Sequence, residues 1–107
     1  MIQAVFYRDS NGDCQSFQIK GHAGFEEAGR DIICAAVSAL AVNTVNSIET
    51  LTGTKTEASE KSGCLTCRLK DGKHPEPQLL VNSLILGLKN IEEEYGTKYI
   101  RILIEEV

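Results

Sequence analysis

A histidine and a cysteine with the spacing of a base and a nucleophile stand in one short stretch of this chain. The text Gly21-His22-Ala23-Gly24 is followed by Asp31-Ile32-Ile33-Cys34-Ala35-Ala36-Val37-Ser38, which puts Cys34 twelve residues after His22. A cysteine is a strong nucleophile as its thiolate, and a nearby imidazole and a helix N-terminus are two ways to hold it in that form. This stretch supplies both if a helix opens near Asp31. The chemistry implied is acyl transfer through a thiol nucleophile, with His22 as the base.

The surrounding elements must place the pair. Ile2 to Asp9 alternates apolar and polar residues as a strand does, and Cys14 to Lys20 returns with Phe17 and Ile19 on one face. Centring a two-residue turn on Asn11-Gly12 pairs Phe6 with Phe17 and Ala4 with Ile19. His22 then falls where the second strand runs out. Residues 21 to 30 hold Gly21, Gly24 and Gly29, a loop by composition. Asp31 is the candidate N-cap, with Gly29 or Arg30 as alternative starts of the turn. The helix it opens is expected to run to about Leu51, with a core stripe of Ile33, Val37, Leu40, Thr44, Ile48 and Leu51. Cys34 lies about 80° off the centre of that stripe, reachable from solvent yet braced by the core.

Two weak strands follow, Thr54 to Glu60 and Cys64 to Lys70, joined through Lys61-Ser62-Gly63. Pro75 and Pro77 open a second helix that ends near Tyr95, with Leu80, Leu84, Leu88, Ile91 and Tyr95 on its apolar face. Tyr99 to Glu105 closes the chain as a strand. The order ββ-α-ββ-α-β predicts an α+β two-layer sandwich, a mostly antiparallel sheet with two helices, in a single domain spanning 1–107.

Other side chains qualify this picture. Asp31 is the best local candidate to orient His22, and equally a plain helix cap. Ser38, one turn after Cys34, either donates a hydrogen bond into the site or bonds back to its own helix. Gly21 joins them as a supporting residue. Backbone N–H groups near Ile33 to Ala35 are candidates for an oxyanion hole, and the same helix start favours a thiolate. Phe25 and Tyr7 are candidates to lie close to the site.

The competing signal is Cys64-x-x-Cys67. With Cys14 and His74 it offers four ligands of types that zinc accepts, or a redox pair. On a strand, however, positions i and i+3 point to opposite faces, so Cys67 would join Leu65 and Leu69 in the core while Cys64 faces outward. Beside a thiol enzyme, the alternative is thus a small zinc-binding or redox module.

Composition narrows the classes. A chain of 107 residues with 42% hydrophobic and 24% charged residues suits one globular domain. The net charge of −4 and pI of about 5.1 disfavour phosphate-led nucleic-acid binding, which needs a basic face. The N-terminus lacks a basic segment followed by a long apolar run, and no uncharged apolar run reaches membrane-spanning length. The expected location is cytoplasmic, with the four cysteines as reduced thiols.

GHAG, then D-I-I-C-A-A-V-S at this spacing, with Asn43 and Thr44 later in the same helix, resembles the ribosomal-processing cysteine protease family (Prp) of Firmicutes and relatives. The resemblance covers essentially the whole chain. It implies a catalytic dyad of His22 and Cys34, with the glycine-rich segment, including Gly24 and Gly29, as a loop gating the site. It implies a peptide substrate, the precursor of the large-subunit ribosomal protein designated L-twenty-seven, whose N-terminal extension is cut after a pair of phenylalanines during ribosome assembly. It further implies a homodimer. No cofactor, metal, direct nucleic-acid partner or membrane partner is expected, and a non-enzymatic ribosome-associated adaptor, in which the glycine-rich loop only docks a partner, stands as a further alternative.

Overall fold

Matching apolar faces bring the first two strands together. β1 (Ile2–Arg8) and β2 (Cys14–Lys20) pair antiparallel with Phe6 opposite Phe17 and Ala4 opposite Ile19, as the alternation predicts. The computed structural model describes residues 1–26 and 31–107, and in it the two phenylalanine rings stack 5.4 Å apart. The turn between the strands is wider than a two-residue hairpin. The Asp9 carboxylate accepts the N–H groups of Asn11 and Asp13, and a bulge at Tyr7/Arg8 absorbs the extra residue. An aspartate bonding the backbone just ahead of it competes with a tight turn.

The remaining elements keep the expected order: α1 (Ile32–Thr52), β3 (Thr56–Lys61), β4 (Cys64–Leu69), α2 (Pro75–Tyr95) and β5 (Ile100–Glu106). The strands form one sheet in the order β3-β4-β2-β1-β5. All neighbours are antiparallel except β1 and β5, which run parallel with Ile2 beside Ile100 and Ala4 beside Ile102. The core joins the helices to the sheet face that carries Ala4, Phe6, Phe17, Ile19, Cys67 and Ile100. This is the two-layer α+β sandwich expected.

α1 packs with a different phase from the one predicted. Its buried residues are Ile33, Val37, Ala41, Thr44, Val45 and Ile48, while Leu40 is half-buried and Leu51 is 75% exposed. Replacing Leu40 and Leu51 by Ala41 and Val45 turns the buried face by roughly 40° toward Cys34. The small Ala41 lets the helix approach the sheet more closely than a leucine would. Buried Thr44 satisfies its hydroxyl by donating to the Leu40 carbonyl at 2.7 Å. By length and composition α1 is apolar enough to cross a membrane, yet one of its faces lies in the core and Asn43, Asn46 and Thr50 stand exposed on others.

α2 starts at Pro75, where a missing N–H costs nothing, and buries Pro77, Val81, Leu84, Ile85 and Leu88. Leu80, Ile91 and Tyr95 are half-buried against the same core. Near its C-terminus the Glu92 carboxylate accepts the N–H of Ile102 in β5 at 3.2 Å.

Candidate active site

His22 and Cys34 come to the same cleft where β2 ends and α1 begins. Gly21 follows the last residue of β2 at φ +100°, and its N–H donates to the carbonyl of Gly63 in the turn between β3 and β4 at 3.1 Å. A side chain at position 21 would run into the carbonyl of Met1. Glycine here serves close backbone approach as well as the left-handed backbone. The next residue is His22, exposed at the sheet end.

Asp31 builds the other half. Its backbone is extended, and its Oδ1 accepts the N–H groups of Ile33 and Cys34, each at 3.0 Å. Its Oδ2 accepts the N–H of Phe25 at 3.2 Å, which ties the segment after β2 to the helix start. Asp31 is therefore the N-cap, and its hydrogen bonds go to this backbone and to the Cys34 thiol rather than to His22. Burial alone would raise its carboxyl, but the N–H groups of Cys34, Phe25 and Ile33 outweigh that and hold it below the usual carboxylate range.

This arrangement removes the expected oxyanion hole. The N–H groups of Ile33 and Cys34 are taken by the Asp31 carboxylate, and that of Ala35 by the Asp31 carbonyl. The backbone group on the nucleophile is instead the N–H of Ala23, which donates to Cys34 Sγ at 3.3 Å. The expectation of a thiolate favoured by the helix start is also reversed. Burial pushes the Cys34 thiol above its ordinary value, the Ala23 N–H opposes this, and the Asp31 carboxylate adds to the rise. The rotated packing of α1 explains the burial, and a carboxylate bearing on Sγ outweighs a dipole whose N–H groups it has already engaged.

Around the pair lie two cavities that share His22, Cys34 and Ser38. One, of about 250 Å³, runs between α1 and the sheet and is lined mainly by apolar residues including Ile2, Ile19, Val37 and Leu65. The other, of about 460 Å³, opens past Gly24, Glu26, Asp31 and Ala35. The fold thus brings together every supporting residue read from the sequence that the described residues contain. Gly29 lies outside them. Phe25 packs edge-on against Tyr95 and Tyr99, at 5.7 and 5.3 Å, and is not part of either lining. Tyr7 sits on the opposite sheet face near Arg68.

The zinc or redox alternative does not assemble. Cys14 and Cys67 are buried in the core, and both thiols are pushed up to about 11, chiefly by burial. Cys64 lies on the other side of its strand, accepting from Gln18 Nε2 at 3.4 Å, and it borders the apolar cavity. His74 stands exposed at the start of α2 beside Asp71. Among the described residues no three histidine, cysteine or carboxylate side chains are grouped to hold a metal. Sequence reasoning missed Ala23, whose side chain carries no chemistry, and Gly63, which is distant in the chain.

Comparison with known proteins agrees with this geometry. The family model described as Cysteine protease Prp matches residues 1–101. The ribosomal processing cysteine protease Prp of Bacillus subtilis is 34% identical over 101 residues, which cover 89% of this chain and 90% of that protein. The structure of an essential ribosomal processing protease Prp from S. aureus with a covalently linked product peptide has a TM-score of 0.93 at 31% identity, over 98% of this chain and all of that one. The same S. aureus protease with a substrate peptide gives 0.87 at 30% identity over the same shares. A non-enzymatic adaptor is thereby set aside. The chain belongs to the Prp family of ribosomal-processing cysteine proteases.

Proposed function

We propose that this protease removes the N-terminal extension of a ribosomal protein precursor, the large-subunit protein designated L-twenty-seven, by cutting after its pair of phenylalanines. The family resemblance and the ribosomal-processing role of the relatives support the substrate class. The observation that carries the reading is the position of the dyad between two cavities. An endopeptidase needs room for chain on both sides of the scissile bond, and the apolar cavity suits an aromatic side chain next to it.

In this mechanism Cys34 Sγ attacks the scissile carbonyl while His22 takes the thiol proton. His22 then gives that proton to the departing amine, leaving an acyl group on sulfur. Water attacks the thioester with His22 again as base, releasing the extension and restoring the thiol. Because the N–H groups of the first helical turn are engaged, the Ala23 N–H is the donor best placed beside the developing oxyanion. Ser38, lining both cavities, is a further group within the cleft that substrate would enter.

The enzyme is proposed to work in the cytoplasm as a homodimer. Ile32, Ala35, Ala36, Ala39 and Val42 form an exposed apolar stripe along α1, which supports self-association. The deciding experiment incubates the purified precursor with wild-type protein and with Cys34→Ser. Wild type should release the extension and the variant should not; undiminished cleavage by the variant would sink the reading.

A further inference from the structure

No carboxylate is hydrogen-bonded to His22 among the described residues, so what holds its ring must be sought elsewhere. The turn between β3 and β4 lies directly against it. Ser62 and Gly63 both have positive φ, 51° and 76°, as a tight hairpin turn of this hand requires. The Gly63 carbonyl accepts the Gly21 N–H, which fixes the turn to the residue preceding the base. A methyl group at position 63 would sit 3.2 Å from His22 Nε2 and 3.5 Å from Cε1. Gly63 therefore leaves beside the imidazole edge the room that a side chain would take.

We propose that Gly63 is a positioning residue for His22, a side-chain-free shelf that leaves the imidazole its place in the cleft. This rests on His22 being the base. With the turn pinned at Gly21, any side chain at position 63 would press on the Nε2–Cε1 edge of the ring.

Gly53 provides a matched control. It has nearly the same φ, +73°, but nothing lies within 4 Å of where its side chain would be. Alanine at either position pays the left-handed backbone strain, and only Gly63→Ala displaces the imidazole. Gly63→Ala should lower kcat by about 10-fold at most, because the ring must give by only a few tenths of an ångström, with KM little changed. Its His22 ring resonances should shift. Gly53→Ala should leave kcat and those resonances as in wild type.

In wild-type protein, which needs no variant to fold, cross-relaxation between the Gly63 Hα and His22 Hε1 protons should be observed. Absence of that signal overturns the proposal even if Gly63→Ala fails to fold. So does a Gly63→Ala enzyme with full kcat, or an equal loss in Gly53→Ala. A His22→Ala variant that keeps its activity removes the base assignment itself, whereas an inactive His22→Ala beside a fully active Gly63→Ala removes only the shelf.

Discussion

Asp31 and Cys34 are bound to each other twice over: Asp31 Oδ1 accepts the Cys34 N–H at 3.0 Å, and the same carboxylate bears on the Cys34 thiol. One contact builds the helix that carries the nucleophile. The other adds to the burial that raises the Cys34 thiol above its ordinary value. The cap and the thiol are thus coupled, and the two effects can be separated by substitution.

Asp31→Asn should separate them. Asparagine caps helices about as well as aspartate, so the helix start survives, while the negative charge beside sulfur is lost. The Cys34 thiol should then titrate at lower pH than in wild type. Thiolate ultraviolet absorbance, taken as the difference from a Cys34→Ser background, reads this directly. A titration that stays put or moves upward would contradict the role given to the carboxylate.

Asp31→Ala should cost about 1 kcal/mol of stability at neutral pH, the usual worth of a helix cap. Because the folded-state carboxyl lies below its unfolded value, its contribution is present above the unfolded pKa and is lost as pH falls through the folded one. The gap between wild type and variant in denaturant midpoint should therefore narrow in acid. A gap that widens there would show that the carboxylate does not act as an ionised cap.

Cysteine accessibility gives a third test. Cys14 is 2% and Cys67 1% exposed, with both thiols held at about 11, while Cys34 and Cys64 are half-buried at the cleft. Iodoacetamide on the folded protein should label Cys64 and, slowly, Cys34, and spare the other two until denaturant is added. Mass mapping of the labelled peptides decides it. Stoichiometric zinc, or early labelling of Cys67, would speak against the buried pair described here.

Phe25→Ala should loosen the segment that carries His22. Its ring meets Tyr95 and Tyr99 edge-on, and each such aromatic pair is worth about 0.5–1.5 kcal/mol beyond burial. A lower denaturant midpoint and faster proteolytic nicking between β2 and α1 are expected. Unchanged values for both would mean that the aromatic contacts do not anchor this segment.

Much of this was legible in local text. The β1–β2 register followed from two apolar faces that must coincide, and the start of α2 from its prolines. The placement of His22 at a strand end and of Cys34 in the first turn of α1 was legible too. The parallel β1–β5 pairing was not, since nothing local selects a partner from the far end of the chain. The phase of α1 went wrong because Leu40 and Leu51 outweigh Ala41 in hydrophobicity, while close packing against the sheet favours the smaller residue. The engaged amides of the first helical turn were invisible for a related reason: a capping aspartate reads alike whether it leaves those donors open or takes them.

A thiol kept protonated by burial and by a neighbouring carboxylate also bears on inhibition. Small electrophiles that depend on intrinsic thiolate reactivity should react slowly with Cys34 in the resting state. A covalent inhibitor of this enzyme would have to gain its selectivity from occupying the apolar cavity first, with a mild warhead delivered afterwards. The same property would spare the enzyme from casual oxidation, since sulfenic acid formation also begins from the thiolate.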